Sequence, residues 1–183
     1  MAPFREGMRV RSRFRLVEPL GTGGMSQVWR ARDEVLNRDV ALKLLIAPGA
    51  GDPAPRSATV REARLAATTT HPNLTQVYDC GETVLPDGTQ VPYLVMELVD
   101  GETLADRLAA GPLPWPEVAR VGGDVARALA TAHRAGVVHR DVKPANVVLT
   151  PTGAKLLDFG IAARSGSRAE RGRLVGTPTY AAP

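Results

Sequence analysis

Cysteine is almost missing from this chain: Cys80 is the only one in 183 residues, so no disulfide can form within it. Three histidines beside that single cysteine give no cluster with zinc-ligand spacing. So little sulfur suits a reducing compartment, and a cytoplasmic location is expected. Aromatics are scarce at 4%, which leaves Val, Leu and Ala to build the core. No apolar run is long enough to cross a bilayer, and the opening MAPFREGMRV lacks the apolar segment of a secretory signal. Internal repeats and low-complexity tracts are absent too. The net charge of +4 is a small excess, and the arginines are scattered rather than gathered into a stripe. Nucleic acid is therefore not expected as a partner.

What is present reads as two small lobes sharing a cleft, a division that 183 residues allow. Residues 13–20 alternate as a strand, Gly21, Gly23 and Gly24 make a turn, and SQVWRAR returns as a second strand. DVALKLLI, 39–46, is a further strand with one lysine inside an apolar run. Pro, Gly and Ala make a loop of 48–55. VREARLAATT predicts a helix over about 57–69 with Val60, Ala63 and Ala67 inward. LTQVYDC and VPYLVMEL are strands flanking the turn Pro86-Asp87-Gly88. A hinge is expected near 97–101, followed by a short helix over 103–109 capped by Thr103. Residues 116–135 predict a long helix whose inner face is Val118, Val121, Val125, Leu129 and Ala132, ended by Gly136. Short strands and a Gly/Arg/Ser-rich loop fill 137–183.

Several residues can carry chemistry. A glycine cluster such as GTGGMSQV can be no more than a tight hairpin turn. Here it opens a strand rather than a helix, which argues against a dinucleotide fingerprint and fits backbone N–H groups approaching phosphates. No GxxxxGKS or GxxxxGKT pattern occurs. Lys43 either snorkels at a sheet edge or faces inward and meets an anion. Glu62 is either a solvated helix charge or that lysine's partner. HRDVKPAN (139–146) has six specified residues, and at roughly one in twenty each a chance match is on the order of 10⁻⁸ per starting position. In it Asp141 can take the proton of an attacking hydroxyl, Lys143 can neutralise a phosphate in transfer, and Asn146 offers an amide oxygen to Mg²⁺. DFG (158–160) adds a second metal ligand, the carboxylate of Asp158.

Together these residues resemble the bacterial eukaryotic-like (Hanks-type) serine/threonine protein kinases. The likeness runs from the glycine loop, Leu20 to Val28, through VALK, Glu62, HPN (71–73), YLVMELVDG (93–101), HRDVKPAN and LLDFGIA to GTPTYAAP. It implies an α+β, bilobal protein-kinase-like fold: an N-lobe of antiparallel sheet and one helix over 1–98, and an incomplete, mainly helical C-lobe over 99–183. It implies transfer of the γ-phosphate of ATP to Ser or Thr hydroxyls of protein substrates, with Mg²⁺, or Mn²⁺ in its place. By the resemblance, Glu62 pairs with Lys43 and Met96 guards the back of the adenine pocket. Backbone groups of Glu97 and Val99 bind the adenine edge. Val28, Ala41 and Val148 sandwich the ring, while Leu20, Gly21, Gly23, Gly24 and Ser26 border the nucleotide. Lys143 and Thr177 stand where Ser/Thr-directed members have them.

Three features depart from the family pattern. The chain ends one residue short of the family's final glutamate, so it is expected to be the front of a catalytic domain truncated at the end of the activation segment. Alone it should turn over poorly, with Val118, Val121, Val125 and Leu129 partly wet, and a nucleotide-binding but inactive fragment or scaffold is the alternative reading. A membrane is expected as a partner only through a span further along. The activation loop offers few hydroxyls (Ser165, Ser167, Thr177) to Arg140 and is Arg-rich over 168–173, which predicts weak dependence on autophosphorylation. Ser26 stands in place of the third glycine.

Overall fold

In the computed structural model residues 3–23, 26–46, 67–157 and 180 are described. The chain groups by contact into two compact units, Met1–Arg64 with Val77–Leu98, and Leu65–Gln76 with Val99–Pro183.

The first unit carries a six-stranded antiparallel sheet in the order β1-β2-β3-β4-β6-β5. Its strands are β1 (Arg9–Val10), β2 (Phe14–Gly23), β3 (Ser26–Asp33), β4 (Arg38–Leu45), β5 (Val77–Val84) and β6 (Gln90–Met96). Alternation along each strand sends one set of side chains to the core: Phe14 and Leu16, Trp29 and Ala31, Val40, Leu42 and Leu44, Tyr93 and Val95. Phe14 meets Tyr93 edge to face, ring centroids 6.0 Å apart. Phe4, ahead of β1, is buried in the same cluster. The expected 13–20 strand runs on to Gly23, because Gly21 and Thr22 still pair with Val28 and Gln27. The β5–β6 turn forms at Pro86–Gly88: Gly88 takes φ +85°, and Asp87 Oδ1 accepts the Thr89 N–H at 2.9 Å.

One strand departs from its expected start. LTQ, 74–76, does not open β5, which begins at Val77. Leu74 instead makes a parallel bridge to Leu156 in the second unit. The helix expected over 57–69 lies outside the described residues up to 66; Ala67 is helical.

The second unit contains α1 (Leu104–Ala109), α2 (Trp115–Arg134), a 3₁₀ turn Pro144–Asn146, and a small sheet of β7 (Glu102–Thr103), β8 (Val147–Thr150) and β9 (Gly153–Leu156). Thr103 caps α1 as expected, its hydroxyl accepting the Asp106 N–H at 3.1 Å. Gly136, at φ +74°, ends α2 by donating to His133 C=O at 2.9 Å.

The inner face of α2 differs from expectation. Its buried residues are Val121, Asp124, Ala128 and Ala132, not the Val118–Val125–Leu129 line. Val118 is 53% exposed and borders an apolar hollow of about 450 Å³ shared with Leu108, Val125, Val142 and Tyr180. Val121, expected to be wet, is buried. Val121 and Ala132 face inward as expected, joined by Ala128 and by Asp124, a carboxylate read as polar and so outward but satisfied inside. No helix among the described residues is long and apolar enough to cross a membrane.

Candidate active site

Lys43 lies on β4, which is buried on both faces from Val40 to Leu45. Its register partners are Val28 on β3 and Leu94 on β6, and those of Ala41 are Arg30 and Met96. Directly opposed residues share a face, so Val28, Ala41, Lys43 and Met96 stand together on the side of the sheet away from the aromatic core. Lys43 is only 5% exposed there, which removes the snorkelling alternative. Three residues expected around a nucleotide base and the lysine expected on its phosphates thus occupy one sheet face.

The glycine strand ends at the margin of this face. Gly21 pairs with Val28 and Gly23 with Ser26. A Cβ at Gly21 would meet nothing within 4 Å, so the backbone there is open to an approaching group. Leu20 sits at a register shift between Pro19 and Gly21 and is 49% exposed. Gly24 lies outside the described residues, as do Glu62, Asp158, Ser165, Ser167, Thr177 and the arginines of 168–173. Glu97 directly follows β6.

The second unit holds the other group of candidates. Val148 is buried on β8, paired with Thr103 and Lys155, and Val99 opens the second segment of this unit. HRDVKPAN folds as a tight loop closed by its own side chains. Lys143 Nζ lies 2.7 Å from Asp141 Oδ2. Asn146 Nδ2 donates to the same oxygen at 3.0 Å and to the Asp141 C=O at 2.8 Å. A cation and an amide donor fix the plane of the Asp141 carboxylate, and charge-assisted bonds of this kind are the stronger sort. Because the Asn146 amide nitrogen is spent on Asp141, its carbonyl oxygen is the atom left to serve as a hard donor for a divalent cation.

Behind this pair sits His139, 1% exposed. The Asp141 N–H can only donate, and it points at His139 Nδ1 at 3.3 Å. The ring proton therefore sits on Nε2, which donates to Leu157 C=O at 2.7 Å. Between the two, Arg140 takes φ +66°, a left-handed conformation that costs a non-glycine residue about 1–2 kcal/mol. Strain of this kind persists where the surroundings over-determine it. Sequence reasoning assigned no part to His139 or Asn73. The first was visible as the histidine of HRD; the second lay in HPN (71–73), matched by the resemblance but given no role.

Residues 14–183 match the family model described as "Protein kinase domain". The chain is 46% identical over 177 residues to serine/threonine-protein kinase PknB of Mycobacterium tuberculosis, covering 93% of this chain and 28% of that protein. It is 42% identical over 187 residues to PknA of the same species, covering 43% of it. The chain thus spans less than half the length of these curated relatives. Among solved structures it is similar to the M. tuberculosis PknI kinase domain, with a TM-score of 0.74, 36% identity and coverage of 87% of this chain and 62% of that one. A second, PpkA-294 in its apo form, matches at TM-score 0.72 and 27% identity, covering 88% of this chain and 63% of that one. Together with the buried lysine, the glycine strand and the Asp141–Lys143–Asn146 loop, these likenesses establish that the chain belongs to the protein kinase domain family, in its bacterial eukaryotic-like (Hanks-type) serine/threonine branch.

Proposed function

We propose that this chain is the catalytic part of a protein kinase that transfers the γ-phosphoryl group of ATP to Ser or Thr hydroxyls of protein substrates. The observation that carries the reading is the Asp141 carboxylate held between Lys143 and Asn146 in one contiguous loop. In the reaction the substrate oxygen forms a bond to Pγ as the bond from Pγ to the β,γ-bridging oxygen breaks, and ADP leaves. Asp141 accepts and steers the hydroxyl proton. Lys143 offsets charge on the phosphoryl group in flight. Lys43 acts on the phosphates of ATP, paired with Glu62.

As in the family it resembles, Val28, Ala41, Met96 and Val148 contact the adenine ring, with backbone groups of Glu97 and Val99 at its edge. Leu20, Gly21, Gly23, Gly24 and Ser26 border the ribose and phosphates. The chemistry of the donor set fits a hard divalent cation: the Asn146 amide oxygen and the Asp158 carboxylate would hold Mg²⁺, and Mn²⁺ accepts the same oxygen ligands. Bound there, the ion supplies charge neutralisation to the triphosphate. Residues 1–98 and 99–183 act as the N-lobe and the front of the C-lobe. The partners are ATP and protein substrates rather than nucleic acid, in the cytoplasm, with a membrane involved only through a span further along the chain.

The test is phosphate incorporation from labelled ATP into a basic protein substrate by the full-length protein, beside its Lys43→Met variant. Incorporation that Lys43→Met abolishes while the melt is retained supports the reading. Wild-type incorporation by that variant would remove Lys43 from the mechanism.

A further inference from the structure

Among its described residues, the second unit buries a carboxylate that the proposed chemistry does not use. Asp124 lies on the buried side of α2, in line with Val121, Ala128 and Ala132, and is 6% exposed. A carboxylate in such a place is expensive unless it is paired and hydrogen-bonded. It is both: Oδ1 accepts from Arg127 Nη2 at 2.5 Å, and Oδ2 accepts the backbone N–H of Ala154, on β9, at 2.8 Å.

The rest of the outer edge of β9 is held as closely. Ala154 C=O accepts from Asn73 Nδ2 at 2.7 Å. Leu156 donates its N–H to Asn73 C=O at 2.8 Å, and its own C=O accepts from Thr75 N–H at 3.0 Å. Gly153 completes the arrangement: a Cβ there would stand 3.0 Å from Asp124 Oδ2, so its bare backbone lets the carboxylate come close.

What β9 leads into is the site. The next residue, Leu157, donates its N–H to Asn146 C=O at 2.8 Å and accepts His139 Nε2–H on its C=O. Asn146 holds the Asp141 side chain, together with Lys143, and His139 holds its backbone N–H. A run of hydrogen bonds and strand backbone therefore leads from Asp124 through β9 and Leu157 to the Asp141 carboxylate. Successive residues of a strand stand about 3.3 Å apart and face opposite ways, so β9 has no small slip that would keep Leu157 in place.

We infer that Asp124 is a positioning residue: it pins β9 in register, and through Leu157 it sets the geometry of Asn146 and Asp141. The inference rests on the kinase reading for its consequence in turnover, but not for its structural content.

The test uses the full-length protein with Asp124→Leu, which keeps the interior apolar and leaves the Ala154 N–H without an acceptor. Misplacing a reacting group by about 1 Å can cost ~10²-fold in rate, so kcat is expected to fall tenfold or more, with KM for ATP changed by less than about threefold. Asp124→Asn, which still offers an amide oxygen to Ala154, should recover most of the loss. Arg127→Ala, which removes only the ion pair, should match wild type. An Asp124→Leu variant that melts lower yet turns over within about twofold of wild type would show a purely structural role and overturn the inference. Should the leucine variant not fold, Asp124→Ala removes the same acceptor with a smaller side chain, and turnover within about twofold of wild type in it would count equally against the proposal. Amide hydrogen exchange at Leu157 needs no turnover. If wild type transferred no phosphate, the kinase reading would fail while faster exchange at Leu157 in Asp124→Leu would still support the positioning role, and unchanged exchange there would end it.

Discussion

Asp33 closes the β3–β4 hairpin from inside. It is fully buried, and its carboxylate accepts the Val35 and Leu36 N–H groups at 3.1 and 3.2 Å and both Arg13 Nε and Nη2, at 2.9 and 2.8 Å. The Arg13 guanidinium, helped by those two amides, holds its carboxyl below the ordinary aspartate range against the cost of burial. A depressed folded-state value contributes stability that is present above the unfolded value of about 3.9 and lost as pH falls through the folded one. Asp33→Asn should therefore melt lower than wild type at neutral pH, with the gap closing as pH drops below about 4. Melts compared across that window check it, and a gap that stays constant would contradict it. A second residue-scale strain lies at the β1–β2 turn, where Arg11 and Ser12 take φ +54° and +53° and Arg13 N–H reaches Val10 C=O at 3.1 Å. Left-handed backbone costs an ordinary residue about 1–2 kcal/mol, while glycine adds about 0.5–1 kcal/mol of unfolded-state entropy. Ser12→Gly is thus expected to stabilise by about 0.5 kcal/mol, a rise in melting temperature of roughly 1–2 °C. A lowered melt would contradict the turn geometry.

At the scale of elements, the short β7 depends on one residue ahead of it. A Cβ on Gly101 would stand 2.2 Å from Leu149 C=O and 2.7 Å from Val148 Cγ1, both on β8. Neither backbone nor a packed valine can yield that much, so Gly101→Ala must push β7 off β8 at a cost of about 1–3 kcal/mol. The urea midpoint of the full-length protein measures this, and an unchanged midpoint would refute the close approach. The same scale shows which elements the sequence disclosed. β4 and the hairpin around the glycines were legible because their signals are local: alternation, an apolar run, glycines at the bend. β1 was not, since Arg11-Ser12 carries none of the Asn-Gly or Asp-Gly chemistry that marks such turns. The burial of Asp124 on α2 was hidden because periodicity assigns an aspartate to water, whereas it is satisfied by a backbone N–H thirty residues away.

For the whole molecule, the same contrast separates what the site disclosed from what it kept. Asp141, Lys143 and Asn146 fall within six consecutive positions, so a motif could name them and the loop's own bonds bring them together. Residues 73–75 pair with β9 from eighty positions away, and no pattern within either segment announces the meeting. The proposed phosphoryl transfer depends above all on Asp141. Asp141→Asn keeps the shape and still accepts from Lys143, but removes the charge that receives the proton. In the full-length protein the account predicts a fall in phosphoryl transfer of ~10² or more with ATP affinity nearly unchanged. Wild-type turnover in that variant, or a collapse of ATP binding with the loss of turnover, would contradict it.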